Sequence, residues 1–117
     1  MHEIGYCESL LPVVEARAQG RPVARVRVRA GAVHRLVPDS FQQAFDMVAA
    51  GTVAADARTE LVTVPLQVQC ATCDQATDST DALSACPACG GVDVTHSGGD
   101  EFTLEQVEYR ESSPRVP

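Results

Sequence analysis

At 117 residues, with 44% hydrophobic side chains, 4% aromatics and no Trp, the chain can bury one modest core built mainly from Val, Leu and Ala, which argues against wholesale disorder. The formal charge of −7 is uneven: residues 1–35 hold six Arg against three acids, residues 36–117 three Arg against thirteen acids, and no large basic face remains for nucleic acid. No apolar run reaches the length of a membrane span, and Glu3 and Glu8 stand where a secretion signal needs positive charge, so a cytoplasmic chain is expected.

Residues 3–19 read as an amphipathic helix, because Ile4, Cys7, Leu11, Val14 and Ala18 recur at steps of three and four. Pro12 predicts a kink in it; the alternative is a helix that starts near Ser9 and holds Pro12 in its unbonded first turn. The segment RPVARVRVRAG then alternates. Ala24, Val26 and Val28 face one way and Arg25, Arg27 and Arg29 the other, with Val23 out of phase, which predicts a half-buried strand ended by Gly31. The arginines read as a solvated face.

Pro38, Asp39 and Gln42 signal a second helix, with Asp39 and Gln42 spaced as a capping box. Phe41, Phe45 and Val48 carry its apolar face, and Gly51 stops it. A second strand covers about 59–68, where Pro65 marks an edge or a gap in the ladder. A third lies near 101–110, where the alternation of Phe102 and Leu104 slips phase before Val107 and Tyr109, as a β-bulge would make it. The tail ESSPRVP has no periodicity and reads as frayed.

Between these strands lies CATCDQATDSTDALSACPACGG, polar and too poor in large apolar residues to form a core. Cys70, Cys73, Cys86 and Cys89 make two C-x-x-C pairs separated by twelve residues. Each pair can bend into a knuckle aiming two thiolates at one point, and two knuckles supply four ligands in tetrahedral geometry. Pro87 pre-sets the second turn and Gly90 permits left-handed backbone there. Thiolates in a reducing compartment select zinc, or iron in a rubredoxin-like site. Structural Zn2+ is the reading adopted, with metal binding supplying the folding energy that the polar loop lacks. Cys7, on the apolar stripe of the first helix, reads as a buried, inert thiol. His34 reads as a surface residue, and His96 as a loop histidine near the zinc site.

The chain opens MHE. A bulky residue at position two predicts that Met1 is retained. Its amine and the amide nitrogen of His2 close a five-membered ring around a metal, and that amide with His2 Nδ1 closes a six-membered one. Such nitrogens suit Ni(II) or Cu(II), and Glu3 or a partner must complete the sphere. A site left incomplete in this way is suited to handing metal on.

Taken together, MHE at the terminus, CESLL in the first helix, GAVHRLVP leading into DSFQQAFDMVAAGT, and the late CATC and CPACG resemble the HypA family over Met1 to about Tyr109. The resemblance implies nickel metallochaperones for [NiFe]-hydrogenase maturation. The implied fold is α+β: two helices flanking a three-stranded mixed sheet, with a four-cysteine, zinc-ribbon-like domain inserted before the last strand. Domains are then expected at 1–68 plus 99–111 for nickel, 69–98 for zinc, and a tail at 112–117. Carried over by position, the transferable Ni2+ is held by Met1, His2 and Glu3, and structural zinc by Cys70, Cys73, Cys86 and Cys89. The implied partners are the GTPase HypB and the hydrogenase large subunit, with urease as a possible further client and a monomer or homodimer as the working form. No phosphate loop and no nucleophile paired with a base is present in the sequence, so no enzyme is expected. Two further readings stand beside this one: a zinc-ribbon adaptor that makes protein contacts without transferable nickel, and a rubredoxin-like electron carrier.

Overall fold

The computed structural model describes residues 2–81 and 83–110. The expected frayed tail lies outside the described residues. Two compact units emerge, and each has its own core. The first gathers the residues up to Val28, Val37–Leu61 and those from Leu104 on; the second gathers Arg29–Leu36 and Val62–Thr103.

The first unit is built on two helices. Helix α1 runs Glu3–Ala18 and carries Pro12 inside it, so the start near Ser9 does not occur. Pro12 is exposed, and the Glu8 carbonyl that loses its partner there can turn to water. The buried stripe is Cys7, Leu10, Leu11, Val14 and Ala18, close to the expected spacing, with Glu3 buried at its head. Gln19 ends the helix in left-handed backbone, its N–H donating to the Glu15 carbonyl.

Helix α2 runs Pro38–Ala49 and packs against α1. Pro38 sits in its first turn, where a missing N–H costs nothing. Phe41, Ala44, Phe45 and Ala49 are buried, whereas Val48 is half-buried. Truncating Phe41 or Phe45, both at 0% exposure, would cost ~3–5 kcal/mol. The expected capping box does not form. Val37 stands at the cap with no side-chain bond, and Gln42 turns elsewhere: its amide nitrogen donates to Asp46 and the Ala57 carbonyl, and its amide oxygen accepts from the N–H and hydroxyl of Thr59. A competing set of partners fifteen residues on outweighed the local one.

Strand β1, Val23–Gly31, lies at the centre of a three-stranded mixed sheet ordered β2-β1-β6, with β2 at Arg58–Val64 and β6 at Phe102–Tyr109. Val26, Val28 and Ala30 are buried, and Val23 is buried as well, while Ala24 is only half-buried. The arginines on the other face are each paired across strands. Arg25 lies 3.8 Å from Glu108, Arg27 3.1 Å from Glu60 and Arg29 3.3 Å from Glu101. The solvated face is therefore a charge-balanced ladder. Along β6, Glu105 and Gln106 are both exposed between half-buried Leu104 and Val107, which is the expected slip of phase. Tyr109 donates its hydroxyl to the Arg17 carbonyl and lies under the Arg21 guanidinium, 3.7 Å from the ring centroid.

The expected single strand over 59–68 is two strands in two sheets. Pro65, which has no N–H to give a ladder, falls between β2 and β3, Leu66–Cys70. The cysteine insert is not simply a loop. β4, Ala76–Ser79, and β5, Val94–Ser97, flank β3 antiparallel in a second sheet, with Val68 opposite both Thr77 and His96. Its small core is Ala32, Leu66 and Val68, with Leu83 and Val94 packed against it. Ala32 comes from a short 3-10 turn, Ala32–His34, in which His34 bonds the Asp100 carbonyl.

Candidate metal centre

The end of β3 delivers Cys70, and the turn after it bends back so that the Asp74 N–H donates to the Cys70 carbonyl. The second knuckle repeats this closure, with the Gly90 N–H donating to the Cys86 carbonyl. Asp74 and Gly90 hold equivalent left-handed positions, at φ 61 and φ 78. Gly90 was legible for this role; Asp74 tolerates the same conformation because its short polar side chain does.

The knuckles bring four sulfurs together. Cys70 Sγ lies 3.7 Å from Cys89 Sγ, and Cys73 Sγ 3.7 Å from Cys86 Sγ. All four lie within 4.8 Å of one another, and no other group among the described residues could hold a metal in this way. Zinc–sulfur bonds of about 2.3 Å give a tetrahedron with edges of about 3.8 Å, so the donor set fits zinc with little adjustment. Backbone N–H groups of Cys73, Ala88 and Gly91 point at the sulfurs of Cys70, Cys86 and Cys89, at 3.5, 3.3 and 3.4 Å. Those amides favour the thiolate form. The Cys70 thiol is drawn down to about 7, first by the Cys73 N–H, and that of Cys86 is also lowered, first by the Cys89 N–H. Bound zinc would close the two knuckles on each other and supply no reaction chemistry, because four protein thiolates leave it no open position.

His96 is not a member of the cluster. Its Nε2 bonds the Leu83 carbonyl and so pins the spacer between the knuckles. The sulfur-directed amides and this bond escaped the sequence, since backbone donors carry no residue signature.

At the head of α1, His2 stands at the cap position with an exposed side chain, its ring 5.8 Å from that of Tyr6 in an edge-on arrangement. His2 Nδ1 lies 3.7 Å from Glu3 Oε1. Glu3 Oε2 accepts the Val37 N–H at 3.4 Å, and the carboxylate is buried, with the residue 3% exposed. Burial alone would raise its pKa; bonds from its own N–H and from Val37, with His2 nearby, outweigh that and hold it below the usual carboxylate value. Met1 lies outside the described residues. Cys7 is fully buried, its Sγ directed at the Phe41 carbonyl, as an inert thiol would be.

A two-helix α+β unit and a four-thiolate unit define the class: a small protein that carries a metal-binding module of four cysteines. A family model described as "Hydrogenase/urease nickel incorporation, metallochaperone, hypA" matches residues 1–109. A hydrogenase maturation factor HypA of Rhodopseudomonas palustris (strain BisB5) is 35% identical over 111 residues, covering 92% of this chain and 98% of that protein. One of Roseiflexus sp. (strain RS-1) is 37% identical over 120 residues, covering 99% and 98%. Among solved structures, one described as HypA protein aligns at a TM-score of 0.58 and 26% identity over 94% of this chain and 97% of its own. The nickel metallochaperone HypA from Helicobacter pylori aligns at 0.56 and 24% identity over 92% and 96%, a likeness of fold. This chain belongs to the HypA family of nickel-incorporation metallochaperones.

Proposed function

We propose that this chain binds Ni(II) at its N-terminus and passes it on during maturation of [NiFe]-hydrogenase, with zinc held structurally by Cys70, Cys73, Cys86 and Cys89. The donors at the terminus are the Met1 amine, backbone nitrogens at His2 and Glu3, and the His2 imidazole. The observation that carries the reading is the exposed His2 imidazole at the head of a helix, in a chain matched by the family from residue 1. The first amides of any helix have no acceptor within the helix, so they can be given up to a metal without breaking its ladder. Nickel binding there forms nitrogen–metal bonds and releases the amide protons to solvent. Deprotonated amides also offset the positive end of the helix dipole, which would otherwise repel a cation.

The GTPase HypB and the hydrogenase large subunit are the partners this reading names, in the cytoplasm, and urease is a second client. The test is nickel titration of untagged wild type beside His2→Ala and beside a variant with one residue placed before Met1, with zinc measured on all three. The expected result is one nickel per wild-type chain, none in either variant, and equal zinc throughout. Unchanged nickel affinity in both variants overturns the reading and leaves the zinc-ribbon adaptor in its place.

A further inference from the structure

The four thiols of the metal centre are not equally sheltered. Cys70 and Cys86 are buried, Cys73 is half-buried and Cys89 is exposed. The residues around Cys89 offer little cover: Pro87, Ala88 and Gly90 are exposed, and Gly91 carries no side chain. The two knuckles meet beside it. A Cβ on Gly91 would lie 3.2 Å from Thr72 Oγ1 of the first knuckle and 3.3 Å from Cys89 Sγ. Both sulfur contacts at 3.7 Å run between the knuckles. Cys70 approaches Cys89, and Cys73 approaches Cys86, so that each contact joins the first cysteine of one knuckle to the last of the other.

From this arrangement, and resting on the reading of the four thiolates as the zinc site, we propose that Cys89 is an oxidation site and the centre a peroxide-responsive switch, which gives up zinc and closes as two bridges, Cys70–Cys89 and Cys73–Cys86. A thiolate must be reached before it reacts, and in a reducing compartment a disulfide is a transient, sensing feature. The chemistry takes two steps at each pair. The Cys89 thiolate attacks an oxygen of hydrogen peroxide: an S–O bond forms, the O–O bond breaks, and with one proton the leaving oxygen departs as water. The Cys70 sulfur then attacks the sulfenic Cys89 sulfur: an S–S bond forms, the S–O bond breaks, and a second proton carries that oxygen off as water. The cysteine pair loses two electrons and the peroxide gains them. This first bridge withdraws two of the four donors, so zinc is lost to solvent, and Cys73 and Cys86 are free to repeat the reaction with a second peroxide. Because both bridges cross between the knuckles, they hold shut what zinc held shut. A dithiol reductant reopens them by exchange and restores the four ligands.

The test exposes untagged, full-length, zinc-loaded wild type to hydrogen peroxide, following zinc with a chromogenic chelator and mapping the cysteines by mass spectrometry. Cleavage before Asp74 and Asp81 separates the two knuckles. Bridges between them therefore keep the fragments joined until a reductant is added, and bridges within them do not. Fragmentation of the joined pair reads which cysteine meets which. One zinc should be released per chain, with Cys70 joined to Cys89 and Cys73 to Cys86, while Cys7 stays free. A dione that traps sulfenic acids should label Cys89 ahead of the other three. The oxidised, zinc-free chain should keep the amide dispersion of residues 66–97, which the reduced, zinc-free chain loses. Any other pairing, a first label elsewhere, collapsed dispersion after oxidation, or zinc and thiols that survive the peroxide each overturn the switch. Should wild type hold no zinc, the reading of the site as a zinc centre fails, and the mapped pairing still decides whether these sulfurs close on each other.

Discussion

Gly31 and Gly99 meet backbone to backbone: a Cβ on Gly31 would lie 1.8 Å from the Gly99 carbonyl oxygen. The contact is reinforced by the Val33 N–H donating to that same oxygen and by the Gly31 N–H donating to Glu101. Gly31→Ala should destabilise the protein by ~2–4 kcal/mol, because the obstacle is backbone and cannot swing aside. Gly99→Ala meets a second penalty, since Gly99 has φ +65 and its Cβ would lie 2.7 Å from that of Leu66. Urea unfolding of both variants measures this, and a loss within 0.5 kcal/mol, a bound typical of surface sites, would refute it.

Removal of zinc should unfold the second unit selectively. Beside the buried ligands Cys70 and Cys86, its buried apolar side chains among the described residues are Ala30, Ala32, Leu66 and Val68, which is too little to order a polar insert. Chelation, or Cys70→Ser, should collapse the amide dispersion of residues 66–97 in an NMR spectrum and leave the signals of α1 and α2 in place. Retention of the β3–β4 and β3–β5 cross-strand contacts in zinc-free protein would contradict this.

Cys7 should resist alkylation at pH 8 in the native chain. Its thiol is pushed from an ordinary 9.0 up to about 12, by burial first and then by the Glu3 carboxylate. Because the folded thiol ionises later than the unfolded one, the stability it contributes is intact below a pH of about 9 and is lost as pH rises toward about 12. Denaturant midpoints across that range, compared with Cys7→Ala, should converge as pH rises. A constant difference between the two proteins is the contrary result.

Pro12→Ala should stabilise the chain. The residue is exposed within a continuous helix, so the change adds an N–H for the Glu8 carbonyl and displaces no packing, a gain of ~1–3 kcal/mol. Thermal unfolding followed by circular dichroism reads it directly. A lower melting temperature would mean that the proline relieves something in α1 that the backbone bonds do not reveal.

What the sequence made legible was what repeats along it. The four cysteines came from spacing, α1 and α2 from a period near 3.6, β1 from strict alternation, and a gap in the ladder at Pro65, though not the change of sheet there, from a missing N–H. What stayed hidden depends on groups far apart in the chain. Strands β4 and β5 read ATDS and VTHS, with no apolar face to betray them, and become strands because β3 offers both of its edges. Gln42 fits a capping box in its local sequence, and Thr59 and Ala57 reclaim it. The bond from the Val37 N–H to the Glu3 carboxylate spans thirty-four residues that no local pattern connects. The arginines of β1 needed three glutamates, one from β2, one from β6 and one just before it, before their face could be called balanced.

The edge-on contact between His2 and Tyr6 has a practical consequence for following cargo. The chain has no Trp and only two tyrosines, so its ultraviolet emission comes from Tyr6 and Tyr109 alone. Tyr109 is fixed against Arg21 and the Arg17 carbonyl, while the ring of Tyr6 lies 5.8 Å from the imidazole. Quenching by a metal seated on that imidazole would fall on one fluorophore and spare the other. On the proposed reading of the terminus, the Tyr6 emission would report loading of that imidazole without any added label.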